Sequence, residues 1–301
     1  MFTNTFSRWF MLVPKQLRLF CVFSLILPQI ATAQFSLSNG KAYREGYAVF
    51  YDLKKNGRYY GDAILLHRQK SNKRIKAKYF ASGTPYSKYV SWKTNKDIIL
   101  VSSGAYSSSA EDYRPPKPIG LCVDNGQVVN RAIKSDMDGM VIVESVGGIR
   151  VSDIDECDLT LVSKNKTICP REEKNVLIQW GQEELATIFQ THLLAFKDEL
   201  RIGTNSNQSS SRRRLLMAGY QNGLLIHSIF YIKNQLTLYD AAVEAKKTMD
   251  DLGISVVFML NLDTGYYDIL QAYDDYGREI PDIQGEKSVS IATNLLVYYY
   301  D

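Results

Sequence analysis

Asp263 is the side chain of this sequence best placed to do chemistry. It follows Ile254-Ser-Val-Val-Phe-Met-Leu-Asn-Leu262, a nearly unbroken apolar run of the kind that forms a strand buried on both faces. Ligands of open α/β sheets bind beyond the carboxyl ends of such strands. A carboxylate there can act as nucleophile, base or electrostatic stabiliser, and Asp268 is the nearest candidate for a second acid. A polar strand end is equally how an ordinary sheet finishes. Arg212-Arg213-Arg214 supplies guanidinium groups, whose rigid fork matches two phosphate oxygens, although arginines in such a run also serve to keep a loop soluble. Ser103, in Ser103-Gly104-Ala105-Tyr106, can donate to a sugar hydroxyl or a phosphate oxygen, or simply end a strand. His192 reads as a polar contact in a cleft or as a satisfied buried histidine. Tyr266 and Tyr267 follow Asp263 closely and could stack on sugar rings.

The elements that must position these groups are legible nearby. Gln221-Asn222-Gly223 separates two apolar runs, and Asn-Gly supplies the positive φ angles of a tight hairpin. Leu224 to Ile232 reads as a strand. Thr237 and Asp240 fit a capping box, with Leu238, Ala241, Ala245, Met249 and Leu252 on one helical face. Gly253 ends that helix without steric cost. Strand, helix, strand in this order predicts a right-handed βαβ crossover.

Thr237-Leu-Tyr-Asp-Ala-Ala, the helix, Leu252-Gly253, the apolar strand and Asn261-Leu262-Asp263-Thr264-Gly265 together resemble the core of the phosphodiester glycosidase family. In that family the strand ends Asn-Leu-Asp-Gly-Gly-Gly-Ser. Asn261, Leu262, Asp263 and Gly265 match it, whereas Thr264, Tyr266 and Tyr267 depart from it. A second match in order is Ser102-Ser103-Gly104-Ala105-Tyr106, then Ile119 to Val123, Asp124-Asn125-Gly126 and Gln127 to Asn130. Ser102-Ser103 stands there in place of an amide-bearing turn. Arg214, Gly219 and Gly223 occupy the arginine and glycine places of the following strand, while Thr191-His192 replaces a Gly-Pro pair. The resemblance covers most of residues 97 to 301.

What the resemblance implies is cleavage of a glycosidic bond to a phosphate-linked group. Asp263 would then be the reactive carboxylate, with Asp268 its candidate partner, and Arg214 would clamp the phosphate. Ser103, Gly104, His192, Asn261, Gly265 and Tyr266 would meet the sugar. The ligand would be a carbohydrate or sugar phosphate, with no cofactor and no metal. A different class remains open: a non-catalytic glycan- or phosphoglycan-binding protein on the same fold. Thr264 and Tyr266 carry side chains where close backbone approach to a substrate favours none. A structural envelope protein without a ligand is the third reading.

The first 33 residues carry Arg8, Lys15 and Arg18, no acid, an apolar stretch from Leu19 to Ile30 and Ala31-Thr32-Ala33. This is the pattern of a cleaved export signal, too short in its apolar part to span a bilayer comfortably. The expectation is a chain beginning at Gln34, secreted or held in the periplasm or cell envelope, without stable membrane insertion. Of 36 basic and 32 acidic residues, three basic ones lie in the leader, so the remainder is nearly neutral. Nothing in that balance points to nucleic acid. Cys157 and Cys169 could form a disulfide in an oxidising compartment, whereas Cys122, inside an apolar run, reads as a small buried residue.

The expected fold is α+β, one domain over 34–301, with a large mixed β-sheet, β-meander hairpins and the βαβ unit near the C-terminus. Tyr47 to Leu53 and Tyr59 to Leu66 flank Lys54-Lys-Asn-Gly57 as a hairpin. His67 to Lys78 reads as an exposed basic hairpin, and Met140 to Glu144 pairs with Ile149 to Ile154. Asp153, Asp155, Glu156 and Asp158 read as a solvated turn. Gln182 to Phe189 looks helical, with Leu185, Ile188 and Phe189 on its apolar face.

Overall fold

The computed structural model describes residues 34–68, 74–109, 115–205 and 209–301. Residues 1–33, expected as an export leader, and Lys70 and Lys73 lie outside the described residues. Asn222 (φ 50°) and Gly223 (φ 78°) both sit in the left-handed region, as a two-residue hairpin turn requires. They join strands Ser211–Gln221 and Leu224–Leu236, in register from Arg213↔Ile232 to Gln221↔Leu224. Thr237 Oγ1 then accepts the Asp240 N–H at 3.0 Å and starts the helix Leu238–Asp251. Gly253 (φ 71°) lets the chain turn away from it, into strand Ser255–Leu262.

That last strand pairs with the far side of Ser211–Gln221, with Met217 opposite Met259. Leu224–Leu236 and Ser255–Leu262 therefore run parallel to each other across an antiparallel strand placed between them, and the ladders themselves are antiparallel. The crossover helix lays Ala241, Ala242, Ala245 and Met249 against Leu215, Met217, Phe230 and Met259 of this face. Three alanines in the contact stripe allow the helix axis to approach the sheet closely.

The large sheet runs in the order Phe35–Tyr43, Ala48–Lys55, Arg58–His67, Leu224–Leu236, Ser211–Gln221, Ser255–Leu262, Thr187–Phe196, Cys122–Asp124, Gln127–Asn130. Gly139–Val143 also pairs with Thr187–Phe196 and carries Ile149–Asp153 on its other side. A second sheet runs Glu279–Gln284, Leu270–Tyr273, Asp97–Ser102, Leu295–Tyr300, Ile75–Phe80. Its terminal strand shows how two faces are filled by a period of two. Leu296 and Tyr298 enter the core shared with the large sheet, meeting Ile64, Leu216 and Leu260. Leu295, Val297 and Tyr299 point the other way, under helix Pro85–Lys93, where Tyr89 and Phe80 cover them. Helix, sheet, sheet and helix thus stack as successive layers.

Two segments differ from the sequence reading. The helix expected over Gln182 to Phe189 lies earlier, at Lys174–Glu183. Leu185 is exposed at φ 50°, and Ile188 and Phe189 belong to strand Thr187–Phe196, packing on opposite faces in two different core clusters. Alternate burial on both faces overrode a helical spacing that Leu185, Ile188 and Phe189 satisfied equally well. The exposed hairpin expected over His67 to Lys78 does not form among the described residues: Arg58–His67 belongs to the large sheet and Ile75–Phe80 to the second, with Ile75 and Ala77 buried.

Cys157 and Cys169 are joined as a disulfide, and Cys122 is a buried free thiol. The acidic turn is neutralised by basic side chains: Lys197 binds Glu156 and Asp158, and Arg171 binds Asp155. Among the described residues no helix is long and apolar enough to cross a membrane.

Candidate active site at the strand ends

The two sheets deliver their strand ends to one place. Arg214 stands opposite Leu262 in the large sheet, and Ser102 stands opposite Leu270 in the second, so Arg214, Ser102, Ser103, Asp263 and Asp268 converge from four segments. The Arg214 side chain is closed to solvent. Its Nη2 donates to Asp268 Oδ1. Its Nη1 donates to Ser103 Oγ (2.9 Å), Ser102 Oγ (3.2 Å) and the Asp263 carbonyl (3.1 Å). The Tyr231 ring lies 5.0 Å from the guanidinium carbon, and its hydroxyl donates to Asp268 Oδ2 at 2.8 Å. A buried ion pair offsets its desolvation only with further hydrogen bonds; Ser102, Ser103 and Tyr231 supply them to the Nη1 and carboxylate atoms, while the buried Arg214 Nε makes none. The two groups expected to meet the substrate, Arg214 on phosphate and Asp268 as a second acid, here meet each other.

Asp263 sits beside this cluster with its carboxylate turned to backbone. Oδ1 accepts the Gly265 N–H at 2.9 Å and Oδ2 the Ser107 N–H at 3.2 Å, while its own N–H donates to the Gly104 carbonyl. The residue is 3% exposed. Burial pushes its pKa above the usual carboxylate range, against the lowering effects of the Gly265 N–H, the Arg214 charge and the Ser107 N–H. Ser103 Oγ donates to the Asp263 carbonyl at 2.8 Å. Gly104 is tightly enclosed, since a Cβ there would come within 2.8 Å of the Tyr79 ring.

Asn294, which the sequence reading did not single out, braces this turn. Its Oδ1 accepts the Gly104 N–H and its Nδ2 donates to the Ala105 carbonyl, both at 2.9 Å. The available signal was an Asn placed directly before the apolar run Leu295 to Tyr300.

Asn261 belongs to a second group. Its Nδ2 donates to the Tyr106 hydroxyl, and its buried Oδ1 makes no hydrogen bond. Tyr106 meets His192 edge to face, with ring centres 5.1 Å apart. His192 lines a cleft of about 490 Å³ with Asp136, Asp138 and Arg201. Burial lowers its pKa although Asp136 and Asp138 favour the cation. Tyr106 was another omission, and burial followed by the Asp263 charge raises its pKa.

Tyr266 stands apart at 71% exposed, packed edge-on against the buried Tyr267 and lying under the Lys287 ammonium at 5.4 Å. The expected residues therefore divide into a buried cluster of Ser103, Gly104, Arg214, Asp263 and Asp268 with the exposed Gly265 at its edge, a buried Asn261 that Tyr106 links to His192 on the cleft wall, and an outlying Tyr266. Among the described residues no group of three or more His, Cys, Asp or Glu side chains is arranged to hold a metal ion.

No protein-family profile matches the sequence, and no curated protein matches it. Solved structures of similar shape include the zebrafish N-acetylglucosamine-1-phosphodiester alpha-N-acetylglucosaminidase catalytic domain auto-inhibited by its pro-peptide. It is 14% identical, with 88% of this chain and 82% of that one covered and a TM-score of 0.44. A hypothetical protein from Synechocystis is 10% identical, with 89% and 68% covered and a TM-score of 0.47. The likeness is a distant one of fold.

Proposed function

We propose that this chain is an exported hydrolase of the phosphodiester glycosidase type, with Asp263 as its reactive carboxylate. The observation that carries the reading is a buried carboxyl of raised pKa at the end of a central strand, hydrogen-bonded to two turn N–H groups beside the buried Arg214–Asp268 ion pair. A carboxyl group raised in this way holds its proton to higher pH than an ordinary carboxyl and can exchange it with a bound substrate. Arg214 acts as a positioning residue: it holds the Asp263 carbonyl and Ser103, and Asp268 neutralises it. His192, on the wall of the cleft with Asp136 and Asp138, is the polar group offered to a sugar. Export is supported by the leader-like first 33 residues and by the Cys157–Cys169 disulfide, a bond that persists in oxidising compartments. The test is release of sugar from aryl and alkyl phosphodiesters of N-acetylhexosamines. Activity is expected to fall as pH rises through the raised Asp263 pKa, and a wild-type protein inert on the whole panel would oppose the reading.

A second reading, a glycan-binding protein on this fold, is favoured by one observation: each Asp263 oxygen already accepts a backbone N–H in a residue only 3% exposed. That reading expects affinity without turnover, lost on Tyr266→Ala.

A further inference from the structure

A groove of about 380 Å³ lies between helix Pro85–Lys93 and the 284–290 loop, a volume within the range of small-molecule sites of about 300–1,000 Å³. Its aromatic face is the half-buried Tyr86 of the helix, set above a buried floor of Tyr89 and Tyr273. The Tyr89 hydroxyl is buried beside that of Tyr273, and the Tyr273 hydroxyl donates to Gln271 Oε1 at 2.8 Å.

The remaining lining is amide and balanced charge. Gln271 and Gln284 offer both donors and acceptors, and Lys93 and Lys287 are matched by Glu279 and Glu286. Such a groove carries no net charge to select an anion or a cation, and too many polar groups to suit an alkyl chain. Rings with apolar faces and hydroxyl edges satisfy both halves of the lining, because a saccharide ring packs flat on an aromatic face while its hydroxyls reach amides and carboxylates. One end of the groove adjoins the strand-end cluster: the Lys287 N–H donates to the Asp268 carbonyl at 3.0 Å, and the Lys287 ammonium lies over Tyr266.

The geometry points to a neutral oligosaccharide-binding site in this groove, separate from Asp263 and independent of whether Asp263 is catalytic. Glycan held there runs toward Tyr266.

The test is calorimetric titration of the mature chain with maltotriose, cellotriose and chitotriose in turn. At least one trisaccharide binds the wild type. Tyr86→Ala and Gln284→Leu each weaken that binding by about tenfold, the scale of one lost aromatic or buried polar contact. Tyr276→Ala, at an 82% exposed side chain that does not line the groove, leaves it unchanged. Tyr86 is half-buried, so Gln284→Leu, at an exposed position, carries the test should Tyr86→Ala fail to fold. No binding of any of the three sugars overturns the assignment. So does binding that survives Gln284→Leu, or binding that is lost in Tyr276→Ala.

Discussion

Arg214 and Asp268 form an ion pair in which both side chains are closed to solvent, 0% and 1% exposed. Removing one partner strands the other charge in the interior. Asp268→Asn or Arg214→Met should therefore cost about 3–5 kcal/mol, read as a lowered urea midpoint with unchanged m. The double variant Arg214→Met with Asp268→Leu should lose less than the sum of the single changes, because the two act as one unit. Additive losses would mean that the pair does not hold the turn.

Local sequence marked the elements around this pair but not the pair itself. Asn222-Gly223, Thr237 with Asp240, and the apolar run ending at Leu262 each encode their structure within a few neighbours. Asp263 was accordingly visible as a strand-end carboxylate. Its surroundings were not, since the Ser103–Asp263 bond spans 160 residues and the Gly104–Asn294 bond spans 190. Arg214 and Asp268 were both legible as candidate site groups, yet which charge each would face depends on how two sheets stack. The chain from Gln182 to Phe189 shows the converse, a local pattern compatible with helix that burial on two faces turned into strand.

His227 supplies a pH prediction. Its Nδ1 lies 2.7 Å from the Tyr298 hydroxyl between the sheets, and burial, with the Arg68 charge, holds its pKa well below 6.5. The unfolded chain binds a proton below that pH which the folded protein refuses, so this histidine makes stability fall as pH drops beneath about 6.5 and adds no slope above it. In His227→Gln the dependence of the urea midpoint on pH between about 7 and 5 should be shallower than in the wild type. An unchanged slope would show that His227 charges freely in the fold.

The Cys157–Cys169 bond closes a loop with a sequence separation of 12. Replacing both cysteines by serine should cost about 2–4 kcal/mol, measured as thermal unfolding with and without reductant. The variant should be insensitive to the reductant.

Tyr266 is 71% exposed and meets only Tyr267 and Lys287 among the ring contacts described. Tyr266→Ala should change stability by less than about 0.5 kcal/mol. Any loss of glycan affinity in that variant therefore reports on the ligand rather than on the fold.

The central claim is that Asp263 reacts, and its most direct measurement is turnover of an N-acetylhexosamine phosphodiester by wild type and Asp263→Asn under identical conditions. Asparagine retains the size of the side chain and an acceptor for one of the two N–H groups but cannot exchange the proton. In Asp263→Asn, kcat should fall by at least about a hundredfold, with KM little changed and the unfolding midpoint close to that of the wild type. Undiminished turnover by Asp263→Asn would contradict it.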